Sequence, residues 1–299
     1  MRFFRNANYD FLGLRKRAYV FSGLMLLVGI VALVLHGGPQ YGVDFTGGTL
    51  LQVQFTGPTT VGDLRTTLAA AGMENAQIQQ LGDTNEYLIR TQAFEGIVEE
   101  VDALLGDAYG EDGFTMSADA VGPKVGSELQ RKAAIAILMS FALTLVYLAF
   151  RFEWRFGIAA IIATFHDITI TFGFISLFNV EITLATVAAI LTILGYSLND
   201  TIVVFDRIRE NLKKRRKDRY QDILNSSINE TLPRTVLTSG TTLATLVALF
   251  ILGGAVVRPF ALVLILGIVI GTYSSIFVAS PLLLEIENRS RHKEKKNRG

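Results

Sequence analysis

Six long apolar runs set the layout of the chain: Ala18–Leu35, Ala133–Phe150, Phe156–Phe178, Ile182–Phe205, Thr235–Leu252 and Pro259–Leu284. At a rise of about 1.5 Å per residue, each predicts a helix able to cross a hydrocarbon core ~30 Å thick. Between the first two runs the period changes. Apolar residues alternate through Thr49–Phe55, which predicts a strand stopped by Gly57 and Pro58. Thr60 and Asp63 resemble a capping box, and Val61, Leu64 and Leu68 then recur at helical spacing as far as Gly72. Two short strands are expected at Ala76–Leu81 and Glu86–Thr91, joined by a turn at Gly82–Asn85. Ile97, Val101, Leu104 and Leu105 share one face of a second helix, and a last strand is expected near Phe114–Val121. Strand, helix, strand, strand, helix, strand is the split βαβ, or ferredoxin-like, order. The predicted fold class is an all-α six-span membrane bundle with an α+β ferredoxin-like domain between spans 1 and 2.

The domain map that follows is 1–17, an N-terminal segment; 18–35, span 1; 36–130, the folded domain; 131–284, a five-span bundle containing a basic loop 206–234; and 285–299, a basic tail. Residues 1–17 mix Arg2, Arg5, Arg15, Lys16 and Arg17 with Phe3, Phe4, Tyr9, Phe11 and Leu12, a composition suited to the bilayer surface. The first run is too long for a signal peptide and ends in His36-Gly37-Gly38-Pro39 with no cleavage-site pattern, so it is read as a retained span. Of 28 Lys and Arg residues, 22 fall on the side that holds both termini, and three of the other six lie in the folded domain. The short loops agree, which places both termini in the cytoplasm and the domain outside.

Composition narrows the chemistry. The chain is 50% hydrophobic and 18% charged, which puts it in the membrane class. It has no cysteine, so disulfides and thiol chemistry are excluded. His36, His166 and His292 make no metal-ligand spacing, no phosphate-binding glycine motif is present, and no cofactor is expected. The basic run 213–217 is read as a topology-setting loop near lipid, not as a nucleic-acid site. Gly267 and Gly271 form a GxxxG pair in span 6 that lets helices approach closely, either in the bundle or at a partner.

Asp200 is the residue that demands an explanation. It follows Asn199 inside an apolar run, and a carboxylate at the centre of a membrane helix costs roughly 2.5–3.5 kcal/mol on insertion scales. The plainer reading is a hydrogen bond that knits two helices. Other polar groups fall at helical spacing around it: His166 and Asp167 with Thr164 and Thr171 in span 3, Tyr196 and Ser197 with Thr186 in span 4, and Thr238, Thr241, Thr242 and Thr245 in span 5. Arg234 opens span 5 and is long enough to reach Asp200, which is placed five residues from the cytoplasmic end of its span. Burial favours the neutral acid and a nearby guanidinium favours the anion. A neighbour that moved in and out would load and unload a proton. Two acids on different spans also suggest an intramembrane aspartyl protease, but Phe165-His166-Asp167 and Leu198-Asn199-Asp200 match neither of its motifs.

The motifs Val43-Asp44-Phe45-Thr46-Gly47-Gly48, Gly195-Tyr196-Ser197-Leu198-Asn199-Asp200-Thr201, Asp206-Arg207-Ile208-Arg209-Glu210-Asn211 and Thr231-Leu232-Pro233-Arg234-Thr235 resemble the SecF family of bacterial SecD–SecF protein-export subunits. The resemblance covers nearly the whole chain in order. It implies half of a resistance-nodulation-division-type transporter in the bacterial inner membrane, with SecD supplying the other six spans. The implied role is non-enzymatic: with the SecYEG channel, the pair uses the proton-motive force to promote preprotein export. Asp200 and Arg234 match the family's proton-pathway aspartate and arginine. The Asp44–Gly48 motif is read as a turn feeding a strand, with flexible backbone at Gly47 and Gly48. The rival readings are a passive translocase scaffold and a small-molecule efflux component.

Overall fold

The computed structural model describes residues 7–296 apart from 71, 75, 82–84 and 93–95. Arg2, Phe3, Phe4 and Arg5 of the terminal segment and residues 82–84 of the expected turn lie outside the described residues. The elements in chain order are α1 (Arg15–Leu35), α2 (Val43–Thr46), β1 (Gly48–Phe55), α3 (Val61–Ala70), β2 (Gln77–Gln80), β3 (Glu86–Thr91), α4 (Ile97–Tyr109), β4 (Phe114–Val121), α5 (Pro123–Arg151), α6 (Trp154–Leu177), α7 (Leu184–Lys214), α8 (Tyr220–Leu252), α9 (Gly254–Ser274), a π-helical turn Ser275–Ala279, and α10 (Ser280–Lys296). They divide into two compact units: residues 41–135 with 182–184, and the remaining helices.

The smaller unit is built around a four-stranded sheet in the order β2-β3-β1-β4, with every pairing antiparallel. This is the order the ferredoxin-like pattern requires, with β1 and β3 central. Leu51, Val53 and Phe55 alternate onto one face of β1 and are buried with Leu64 and Leu68 of α3 and Val101 and Leu105 of α4. The α3 cap is reciprocal: Thr60 N donates to Asp63 Oδ2 at 3.1 Å, and Asp63 N donates to Thr60 Oγ1 at 3.2 Å.

The Asp44–Gly48 motif is not a flexible turn. Residues Val43–Thr46 form a short helix, and Gly47 and Gly48 take φ of +74° and +132°, values that side-chain-bearing residues rarely adopt. A Cβ on Gly47 would meet Pro123 Cα at 2.8 Å, and one on Gly48 would meet the Thr91 carbonyl at 2.9 Å. Both glycines are therefore fixed by conformation and crowding. Asp44 Oδ2 accepts a hydrogen bond of 2.7 Å from the amide of Leu184, the first residue of α7. That satisfies one of the orphan donors at a helix start.

Among the described residues six helices are long and apolar enough to cross a membrane, and α6, α7 and the continuous stretch through α9 and α10 are the most buried. By contrast, α5 and α8 expose most of their apolar length. Glycine lets α1 and α6 touch: a Cβ on Gly29 would sit 2.8 Å from Gly173 Cα. The Gly267–Gly271 pair resolves in the same way. Cβ atoms there would meet Ile193 Cδ1 at 2.2 Å and Ser197 Cβ at 2.8 Å, so this face packs within the chain against α7.

One expectation is corrected at the basic end of the bundle. The stretch 206–234 is helical apart from 215–219, because α7 and α8 extend past their apolar lengths. Ion pairs support them: Arg207 pairs with Glu230 across the two extensions and with Glu210 within α7 at 2.7 Å, and Arg151 of α5 pairs with Asp206 at 2.5 Å. Pro233 lies inside α8 without ending it. The described part of the N-terminal segment is tied to α8: Tyr9 N donates to Asn229 Oδ1 at 2.8 Å, Asn225 Nδ2 donates to Tyr9 O at 2.8 Å, and Leu12 is fully buried.

Candidate functional site

Asp200 lies near the middle of the 31-residue α7, sixteen residues after Leu184, because the helix continues well beyond Phe205. Its side chain is 8% exposed and turned into the bundle. Thr235 Oγ1 of α8 donates to Oδ1 at 2.8 Å, and Ser275 Oγ of the π turn donates to Oδ2 at 3.1 Å. Three structural elements thus meet on one carboxylate. Both donors are neutral hydroxyls, which can also accept a hydrogen bond. The site therefore suits the carboxylate and the protonated acid alike.

The expected ion pair with Arg234 is not formed. Arg234 is exposed on α8, and among the described residues no ion pair joins it to Asp200; its charge acts on the carboxylate only at longer range. Side-chain reach does not decide the contact, because the helix fixes the direction in which each side chain leaves it. Thr235, the next residue, turns inward to the acid, so Arg234, about 100° away around the axis, turns outward. Asn199 is likewise exposed while Asp200 beside it is buried. Thr238 and Thr241 also lie on the uncovered face of α8, where Thr241 Oγ1 donates back to Leu237 O at 2.9 Å. Tyr196 faces α8, with its OH 3.4 Å from Thr242 Oγ1.

The remaining candidates meet elsewhere in the bundle. His166 Nδ1 lies 2.8 Å from Asp167 Oδ1, and Ser197 Oγ donates to Asp167 Oδ2 at 2.5 Å. Thr171 and Thr164 spend their hydroxyls on α6 carbonyls, at Asp167 O and Ala160 O. Gly271 faces Ser197 and so permits the α7–α9 approach behind this cluster. Sequence reasoning missed Thr235 and Ser275, which hydrogen-bond Asp200. Thr235 adjoins Arg234 in sequence, but Ser275 stands 75 positions from Asp200, at a π turn that carries no sequence signature. Among the described residues no group of three or more His, Cys, Asp or Glu side chains is placed to hold a metal ion.

Comparison with known proteins gives a consistent picture. Residues 102–289 match the family described as protein export membrane protein SecD/SecF, C-terminal, and residues 32–59 match the SecD/SecF GG motif. The chain is 46% identical over 301 residues to a protein translocase subunit SecF of Gemmatimonas aurantiaca, covering 97% of this chain and 90% of that one. It is 44% identical to the Vibrio alginolyticus SecF over 93% of this chain and 89% of that one. Its fold superposes on the crystal structure of SecDF from Thermus thermophilus, a translocon-associated membrane protein, with a TM-score of 0.86 at 39% identity. That match covers 96% of this chain and 40% of the SecDF chain, so this chain spans less than half of the solved relative.

Proposed function

The chain belongs to the SecD/SecF family of protein-export membrane proteins, and from that membership we propose that it is the proton-handling SecF half of a SecD–SecF pair. Its SecF-type accessory place in the Sec translocase follows from the family. The finer reading is that the pair draws on the proton-motive force to promote preprotein passage through the SecYEG channel. The observation that carries it is Asp200: a buried carboxylate at mid-helix, bonded to two neutral hydroxyls and within electrostatic range of a guanidinium it does not touch.

In this reading Arg234 is the movable element. Drawn toward Asp200 it favours the anion and releases the proton; turned away, it leaves the carboxyl free to reload. One charge moved through 100 mV supplies about 2.3 kcal/mol, enough to bias a conformational equilibrium but small beside unfolding a protein. Repeated small steps, or prevention of backsliding, fit that magnitude. The uncovered polar face formed by Asn199, Arg234, Thr238 and Thr241 is an expensive surface to leave against lipid. A second six-span subunit would cover it, which supports SecD as the partner. Under the same reading the protein is an inner-membrane protein with cytoplasmic termini and the ferredoxin-like domain outside; it touches lipid, needs no cofactor and binds no nucleic acid.

The test is export into inverted vesicles with a proton gradient imposed and then collapsed. Asp200→Asn keeps shape and hydrogen bonding but cannot titrate, so the complex should assemble and lose gradient-stimulated export. Wild-type stimulation in that variant would make Asp200 a packing residue and end the proton-coupled reading.

A further inference from the structure

Asp200 is not the only buried titratable group between these helices. Asp167 on α6 is 1% exposed and holds His166 Nδ1 at 2.8 Å, with Ser197 Oγ on its other oxygen at 2.5 Å. His166 is 8% exposed, and its Nε2 is buried without a hydrogen-bond partner. The ring borders a largely apolar crevice of about 490 Å³ that Tyr19, Ser22, Gly23, Ile162 and Phe165 also line.

Two short links join this pair to Asp200. Ser197 precedes Asp200 by three residues on α7, less than one helical turn. Ser274 and Ser275 are consecutive at the start of the π turn. Ser274 lies against Asp167, its fully buried Oγ unsatisfied, while Ser275 donates to Asp200 at 3.1 Å. A π turn inside an α-helix is a feature found disproportionately at functional sites. Here it brings the Ser275 hydroxyl onto Asp200 and leaves that of Ser274 beside Asp167 without a hydrogen bond.

Packing alone explains part of this arrangement. Ser197 bonded to Asp167 would knit α6 to α7 without any imidazole. An imidazole with a buried nitrogen left unpaired is destabilising, and a purely structural joint gains nothing by carrying it. With a carboxylate fixed at Nδ1 and a free lone pair at Nε2, the ring is set to take up a proton, because the adjacent anion stabilises the imidazolium.

We propose that His166 and Asp167 form a second proton-binding station of the bundle, coupled to Asp200 through Ser197 and the Ser274–Ser275 pair. The proposal rests on the proton-coupled reading of Asp200. In balance, the neutral imidazole accepts one proton at Nε2 and becomes an imidazolium paired with the Asp167 carboxylate; loss of that proton restores the starting pair. No other species is consumed. When Asp200 is protonated its own O–H needs an acceptor, and Ser275 can supply one by turning its hydroxyl proton to the Thr272 carbonyl 3.0 Å away. Around the pair, α9 brings Tyr273, whose ring stacks on His166 at 6.4 Å, and α1 brings Tyr19. From α7 come Ser197 and Asp200, while Glu285 and Glu287 of α10 are engaged with Arg15 and Arg155.

The chain has three histidines, so the imidazoles can be followed individually. The full chain, labelled with ¹⁵N-histidine and purified with its unlabelled six-span partner, is titrated by NMR, with His166→Asn used for assignment. The His166 resonances should respond to pH, and the pH at which they do so should differ in the Asp200→Asn complex. No titration, or the same midpoint in both complexes, overturns the second station. As a functional arm, His166→Asn keeps a donor to Asp167 and should co-purify with the partner yet lose gradient-stimulated export. Full stimulation there, with stimulation lost in Asp200→Asn, removes the second station and leaves the main reading standing. Stimulation retained in Asp200→Asn defeats the main reading whatever His166 does. If His166→Asn does not accumulate, the titration of the native ring, assigned by elimination with His36 and His292 variants, decides.

Discussion

Thr235 Oγ1 donates to Asp200 Oδ1 at 2.8 Å, and Thr235 is the residue that follows Arg234. The hydroxyl that touches the acid and the guanidinium that acts on it from a distance are thus consecutive on one helix. Rotation of α8 that brought Arg234 inward would withdraw Thr235. Thr235→Val keeps the shape and removes the donor, so it should leave assembly intact and weaken gradient-stimulated export, while Thr235→Ser should restore it. Equal export by both variants would separate Thr235 from the mechanism.

Arg234→Met keeps most of the side chain's bulk and removes its charge. If Asp200 and Arg234 act as one unit, the Asp200→Asn, Arg234→Met double variant should export about as poorly as either single variant, because effects within one mechanism do not add. Multiplying defects would show that the two residues act independently.

Gly271 tolerates no side chain where it stands. A Cβ there would meet Ser197 Cβ at 2.8 Å and Ser197 Oγ at 3.0 Å. Gly271→Leu should lower the thermal stability of the purified chain through overpacking that costs typically 1–3 kcal/mol, about the same with the partner subunit as without it. A defect confined to partner recovery, with unchanged stability of the chain alone, would place this face at the intersubunit contact after all.

Asp44 accepts from the first amide of α7. Asp44→Ala should raise hydrogen exchange at the start of that helix and cost roughly 0.5–2 kcal/mol, the range for a lost cap. Asp44→Asn keeps an acceptor and should recover most of the protection; equal exchange in all three proteins would show that the contact contributes nothing.

The segment 36–130 should fold alone, since it contains a buried core within its own sheet and helices. It is strongly acidic, with 3 basic against 14 acidic residues. Tyr87 is fully buried and donates its hydroxyl to the Thr59 carbonyl. Burial holds its phenol above the ordinary value of 10.0, with Asp63 and Tyr109 pushing the same way. Because the folded value is the higher one, that contribution is complete below the unfolded value and is lost as pH rises through the folded value. Thermal melts should therefore fall on the alkaline side, and Tyr87→Phe should flatten that fall while costing about 0.5–1.5 kcal/mol near neutrality. A disordered spectrum at low temperature would refute independent folding.

What the sequence determined was everything carried by local periodicity. Alternation in Leu51, Val53 and Phe55, and helical spacing in Leu64 and Leu68 or Val101 and Leu105, place each element because a strand or helix repeats over a few residues whatever surrounds it. The lone carboxylate at Asp200 was legible for a similar reason, since charge inside an apolar run is conspicuous. Tertiary packing decided the rest. Spacing alone could not say that Thr235 and not Arg234 meets Asp200, that Asn199 turns outward, or that Gly267 and Gly271 seat on Ile193 and Ser197. Each depends on how a helix is rotated about its axis, and that rotation is set by contacts with helices tens of residues away. The π turn that puts Ser275 on Asp200 is the clearest case: one extra residue per turn changes which side chains point inward, and only the packed bundle fixes where it falls.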